Sequence, residues 1–169
     1  MKTPYYLIFC LLLLLLLGAC GGNFEIRNRI SEYDPIYLEK NNLKNSVYFS
    51  TTTVDLQDLG KIYTKGNLLF VNEKYKGVHI FDNQNPAIPH KLGFIYIAGN
   101  VDIAIKDNTL YADNTTDLVV IDLSSLPNEV RLVNRKENVF QEMNITPDGI
   151  SFQNPFKDKV VMGWRKRTK

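Results

Sequence analysis

Few residues in this chain have a type that suggests chemistry. His79 and His90 are its two imidazoles. His79 sits in an alternating apolar strand pattern, and His90 follows Pro89 in a loop. No carboxylate is arranged with them as in a metal or catalytic site, and Ser124-Ser125 lacks the glycine elbow of a hydrolase nucleophile. Asp102, Asp113, Asp117 and Asp122 invite a calcium reading, but their spacing is not that of a calcium loop. Asp82 and Asp122 each end an apolar strand. A carboxylate there accepts amide hydrogen bonds from the loop that follows, so both are expected to be structural turn residues and not metal ligands. No glycine-rich phosphate loop appears. The expectation is a non-enzymatic chain with no cofactor.

Cys20 is different. Residues 7–17 form a nearly unbroken apolar run behind a weakly basic head. A helix of that length reaches roughly 16 Å, about half a bilayer core, so the run suits a cleaved leader better than a lasting span. It ends in Leu17-Gly18-Ala19-Cys20, which resembles the bacterial lipobox. The motif implies cleavage before Cys20, a diacylglyceryl group on its thiol and acylation of the new amine. Each buried methylene adds about 0.8 kcal/mol, so several chains make a stable anchor. Gly21-Gly22 lacks the aspartate of an inner-membrane retention signal, so the expected place is the outer membrane, in either leaflet. Cleavage leaves 169 − 19 = 150 residues, one domain's worth. Cys10 leaves with the leader, which excludes an intramolecular disulfide. The formal charge of +2 falls to +1 without Lys2, too little for a nucleic-acid binder.

The elements that would position these residues are short strands. Residues 20–45 suit a lipid-anchored tether and connector, in which Tyr33 to Leu38 can pack on the body or extend as an edge strand. From Val47 the texture is β-branched and aromatic, in runs of four or five residues with turn formers between them. Val47-Tyr48-Phe49-Ser50, Leu68-Leu69-Phe70-Val71, Val78-His79-Ile80-Phe81 and Phe94-Ile95-Tyr96-Ile97 are examples. No stretch beyond the leader has a helical apolar period. Two segments repeat: Gly66 to Asn72 aligns with Asp107 to Asp113 at an offset of 41, and Gly77 to Asp82 with Asp117 to Asp122 at an offset of 40. A period near 40 with several strands per unit suits propeller blades.

Gly77-Val78-His79-Ile80-Phe81-Asp82 and Asp117-Leu118-Val119-Val120-Ile121-Asp122 resemble the core of the LVIVD repeat. Residues 60–123 are similar to part of a group of Bacteroidota lipoproteins that carry it. The resemblance implies an all-β fold of two to three antiparallel propeller-like blades over residues 46–164, with a basic tail at 165–169. It transfers no catalytic residue. The β region holds fewer than three forty-residue units, and three blades do not close a ring. Three solutions compete: a short or truncated member of a longer family, self-association to complete a ring, or a compact β structure that is no propeller. In function, the chain is expected to be a lipid-anchored envelope module that binds a protein or glycan. The rival is a fragment of a larger propeller enzyme or subunit whose active site lies elsewhere. Tyr63, Phe70, Tyr96 and Tyr111 suit cross-strand packing, and Tyr75, in a turn, is the best candidate for an exposed contact. The basic residues from Lys157 to Lys169 suit a solvated end or contact with anionic head groups.

Overall fold

A computed structural model describes residues 29–52 and 54–168. Cys20 and the leader lie outside the described residues. The described residues form eleven strands and one short helix. β1 (Tyr33–Glu39) runs into α1 (Lys40–Leu43), and β2 (Val47–Ser50) follows. The next strands are β3 (Leu59–Lys65), β4 (Leu68–Glu73), β5 (Gly77–Asp82) and β6 (His90–Ile97). Then come β7 (Ile103–Lys106), β8 (Thr109–Asn114), β9 (Asp117–Asp122), β10 (Arg131–Lys136) and β11 (Lys159–Lys166).

They make three antiparallel sheets, with strand orders β2-β6-β5-β4-β3, β7-β8-β9-β10 and β1-β11. The two repeated segments are the hairpins β4–β5 and β8–β9. Their turns also match: Gly66 and Asp107 enter β4 and β8 at φ +54 and +51, and Tyr75 and Thr115 turn each hairpin at φ +66 and +58. Gly77 opens β5 at φ +143 because a Cβ there would lie 2.0 Å from the Ile95 carbonyl oxygen. Only glycine allows the backbones to approach so closely.

The larger sheets share one core. Phe70, Val78, Ile80, Ile95 and Ile97 of the five-stranded sheet pack with Ile103, Ile105, Leu110, Val119 and Ile121 of the four-stranded sheet. Alternation puts successive side chains on opposite faces. The interior therefore takes Val78 and Ile80 from β5 but Val119 and Ile121 from β9. Those are not equivalents at an offset of 40: Val120, the partner of Ile80 in the alignment, lies on the half-buried outer face. Apolar residues on both faces of Leu118-Val119-Val120-Ile121 leave the choice of face to tertiary packing.

The incomplete propeller must be corrected. The described residues form three separate sheets, and none of these is curved as a blade or closed into a ring. β2 adds a fifth strand beyond β6. Val160 to Trp164 pair with residues 35–38 of β1, so opposite parts of the chain close a two-stranded sheet of their own. Between β10 and β11 the bridge Ile145↔Ser151 stands alone. Val160 and Val161 are fully buried, and Trp164 packs edge-on against Phe152 at 5.2 Å. Arg165 and Lys166 belong to β11 and are not a free tail; Lys166 pairs with Glu32 at 3.5 Å, and Arg167 with Asp34 at 2.7 Å.

Candidate functional site

The outer face of the four-stranded sheet carries a groove of about 500 Å³. Its floor follows from strand alternation: with Leu110, Ala112, Val119 and Ile121 turned inward, Ala104, Tyr111 and Leu118 point outward. Ala104 and Tyr111 are register partners across β7 and β8. Its wall is the segment after β10, which contributes Phe140, Gln141 and Met143. Val101, Tyr111 and Phe140 each stay more than a third exposed.

Polar contacts hold both sides. Asp117, at the start of β9, receives Arg135 Nη1 at 2.8 Å and the Asn138 amide at 3.1 Å. The Phe140 amide donates to the Thr116 carbonyl at 2.9 Å. At the other end Asp113 accepts the amides of Val101 and Asp102 and the side-chain amide of Asn100. Burial raises the Asp113 pKa above the usual carboxylate range, and these donors oppose the rise. Lys61 and Asp102 pair at the mouth at 2.7 Å, both well exposed. The site is an apolar slot with charged groups at one end. Its residues can bind and orient a ligand, but no acid, base and nucleophile converge there.

A second cluster lies on the outer face of the five-stranded sheet. His79 and Glu73 are both fully buried, with His79 Nε2 3.2 Å from Glu73 Oε2. Glu73 also accepts the amides of Asp58 at 2.7 Å and Gln57 at 3.0 Å, and Lys76 Nζ lies 3.8 Å from its Oε1. Burial works against the Glu73 carboxylate, but the donors from Asp58, Gln57 and His79 together bring its pKa below normal. Burial lowers the pKa of His79, and Glu73 only partly offsets this.

The other expected site residues are dispersed. Asp82 Oδ1 accepts the Gln84 amide at 2.9 Å. Asp122 accepts the Ser124 amide at 3.0 Å, its hydroxyl at 2.6 Å and Arg131 at 3.1 Å, which commits Ser124 to a turn. His90 is exposed at the start of β6, opposite Asp82. Tyr75 is no free contact residue: its ring sits where a Cβ on Gly163 would lie 2.5 Å from Cγ, so it joins the five-stranded sheet to β11. The lining residues Lys61, Phe140 and Met143 carried no sequence signal, because the groove is assembled from distant segments. Glu73 had a weak one: an acid two positions after Val71 shares that residue's face.

Among the described residues, no group of three or more His, Cys, Asp or Glu is placed to hold a metal ion, and no helix is long and apolar enough to cross a membrane. No family model, curated protein or solved structure matches the chain. The LVIVD resemblance is accordingly corrected: the repeated hairpins are an internal feature of this fold, and the repeat and propeller descriptions do not apply.

Proposed function

We propose that this chain is a lipid-anchored, non-enzymatic binding module of the bacterial cell envelope. Cys20 is its acylation site, the outer membrane its location, and the groove over β7, β8 and β9 its ligand surface. The observation that carries the binding reading is the groove itself, a preformed slot of about 500 Å³ lined by apolar residues with charged groups at one end. Ligand sites for small molecules span about 300 to 1,000 Å³ and combine these features. The anchor rests on Leu17-Gly18-Ala19-Cys20. Neither part now depends on propeller blades, whereas the propeller-enzyme fragment needed them for its missing active site.

Each part has its own test. Ala104 is exposed on the groove floor, so Ala104→Trp fills the slot without entering the core. An anilinonaphthalene sulfonate dye should bind the native chain saturably and bind this variant at least roughly tenfold more weakly. Equal binding by both would exclude the groove. For the anchor, intact mass of detergent-extracted protein should show loss of residues 1–19 with added acyl mass, and Cys20→Ser should lose both changes.

A further inference from the structure

β2 and β3 are the two edges of the five-stranded sheet, and residues 54–58, which precede β3, cross a face of that sheet. That face is the outer one. Residues 54–58 are held there by Glu73 through the Gln57 and Asp58 amides, and by Lys76 Nζ on Gln57 Oε1 at 2.7 Å. Lys91 Nζ also donates to the Val54 carbonyl, and the Lys74 amide to the Asp58 carbonyl at 2.8 Å. The carboxylate that holds this strap is also the one that His79 contacts, and the His79 ring stands edge-on to Phe94 at 4.6 Å.

His79 is fully buried, and its Nδ1 has no hydrogen-bond partner. With Nε2–H donating to Glu73, Nδ1 carries a lone pair in an apolar setting, a modest cost. A second proton changes that. It makes Nδ1 a donor with no acceptor, and a buried unpaired donor on a cation is far more costly than a lone pair. The charged groups that act on the ring are Glu73 on β4, Lys91 on β6 and Lys76 in the β4–β5 turn; on the strap, Asp55 acts on Lys91, and Asp58 pairs with Lys74 at 3.2 Å. Glu73 favours the imidazolium, and the two lysines oppose it.

We infer that residues 54–58 form an acid-released strap, closed over neutral His79 and lifted when that imidazole takes its second proton. Lifting hydrates Nδ1–H and frees the Gln57 and Asp58 amides from Glu73. It also uncovers the aromatic face formed by His79, Phe81 and Phe94. The rest of the sheet stays paired, because β5 keeps its ladders to β4 and β6.

Hydrogen exchange on the full chain tests this, with rates corrected for the intrinsic pH dependence. Once lifted, the hydrated imidazole regains its ordinary range, so going from about pH 7.5 to about pH 5 protonates it in that state. Peptides covering 54–58 should lose roughly tenfold or more in protection, while peptides of β5 and β9 hold theirs. In His79→Phe the strap's protection should be independent of pH. The His79 Cε1–H resonance of the unaltered chain should titrate with the same midpoint as the loss of protection, a check that needs no variant to fold. Unchanged protection at the lower pH, equal loss in His79→Phe, or loss across all strands together would overturn the inference.

Discussion

Asp148 fastens the start of β1 to the turn at residues 146–150. It accepts the Ser31 hydroxyl at 3.0 Å, the Glu32 amide at 2.9 Å and the Thr146 hydroxyl at 2.5 Å. These donors, the Thr146 hydroxyl foremost, lower its pKa to about 2. A carboxylate with a lowered folded pKa stabilises the fold above its unfolded pKa and loses that contribution as pH falls through the folded value. Asp148→Asn should therefore lower the urea midpoint near pH 7, and the gap from the native chain should narrow between about pH 4 and about pH 2. A gap independent of pH would mean the charge plays no part. The turn aspartates should rank by what they hold. Asp122 serves Ser124 twice and Arg131 once, whereas Asp82 serves one amide. Alanine at 122 should lower the melting temperature more than alanine at 82, and asparagine should be milder at both sites. Millimolar calcium should leave these melts unchanged.

Among the strands, equivalent alignment positions differ in energy because they face different ways. Ile80 and Ile121 are fully buried in the shared core. Truncating either to alanine should cost about 2 to 5 kcal/mol in urea unfolding, and Val120→Ala only about 1 kcal/mol or less. Similar losses at Val120 and Ile121 would reject the assignment of faces. The link between sheets is equally specific. Gly163→Ala would set a methyl carbon 2.5 Å from Tyr75 Cγ and 2.8 Å from its Cβ, and should cost about 1 to 3 kcal/mol. Adding Tyr75→Ala should recover part of that loss. Additive effects would show that the two residues do not touch.

For the whole molecule, one continuous core between the five- and four-stranded sheets predicts a single cooperative urea transition for those nine strands. Sheets of two strands have little stability of their own. β1 and β11 should therefore exchange amide hydrogens faster than β5 and β9 in the native state, despite the burial of Val160 and Val161. Native-state exchange in low urea checks this ordering. Equal protection in all three sheets would make the two-stranded sheet part of the same cooperative unit.

Much of the local structure was legible in the sequence. Runs of β-branched and aromatic residues between turn formers are enough to dictate short antiparallel strands. The offsets of 41 and 40 located two like hairpins, and the structure adds that Gly66 and Asp107 take the left-handed conformation at their matching turns. What stayed hidden depends on distant partners. The alternation in Leu118-Val119-Val120-Ile121 defines two faces but not which is inside, since both are apolar. Nothing local in Val160 to Trp164 specifies β1 as its partner, because an edge strand offers the same backbone donors and acceptors to any neighbour. The Glu73–His79 contact arises from the β4–β5 turn and a crossing strap, and the groove from segments up to eighty-two positions apart, Lys61 to Met143. The sequence by itself determined the short strands and the turns between them. Only the tertiary structure decided which faces meet and which charges are buried, because those follow from the free energy of packing the whole chain and not from any local preference.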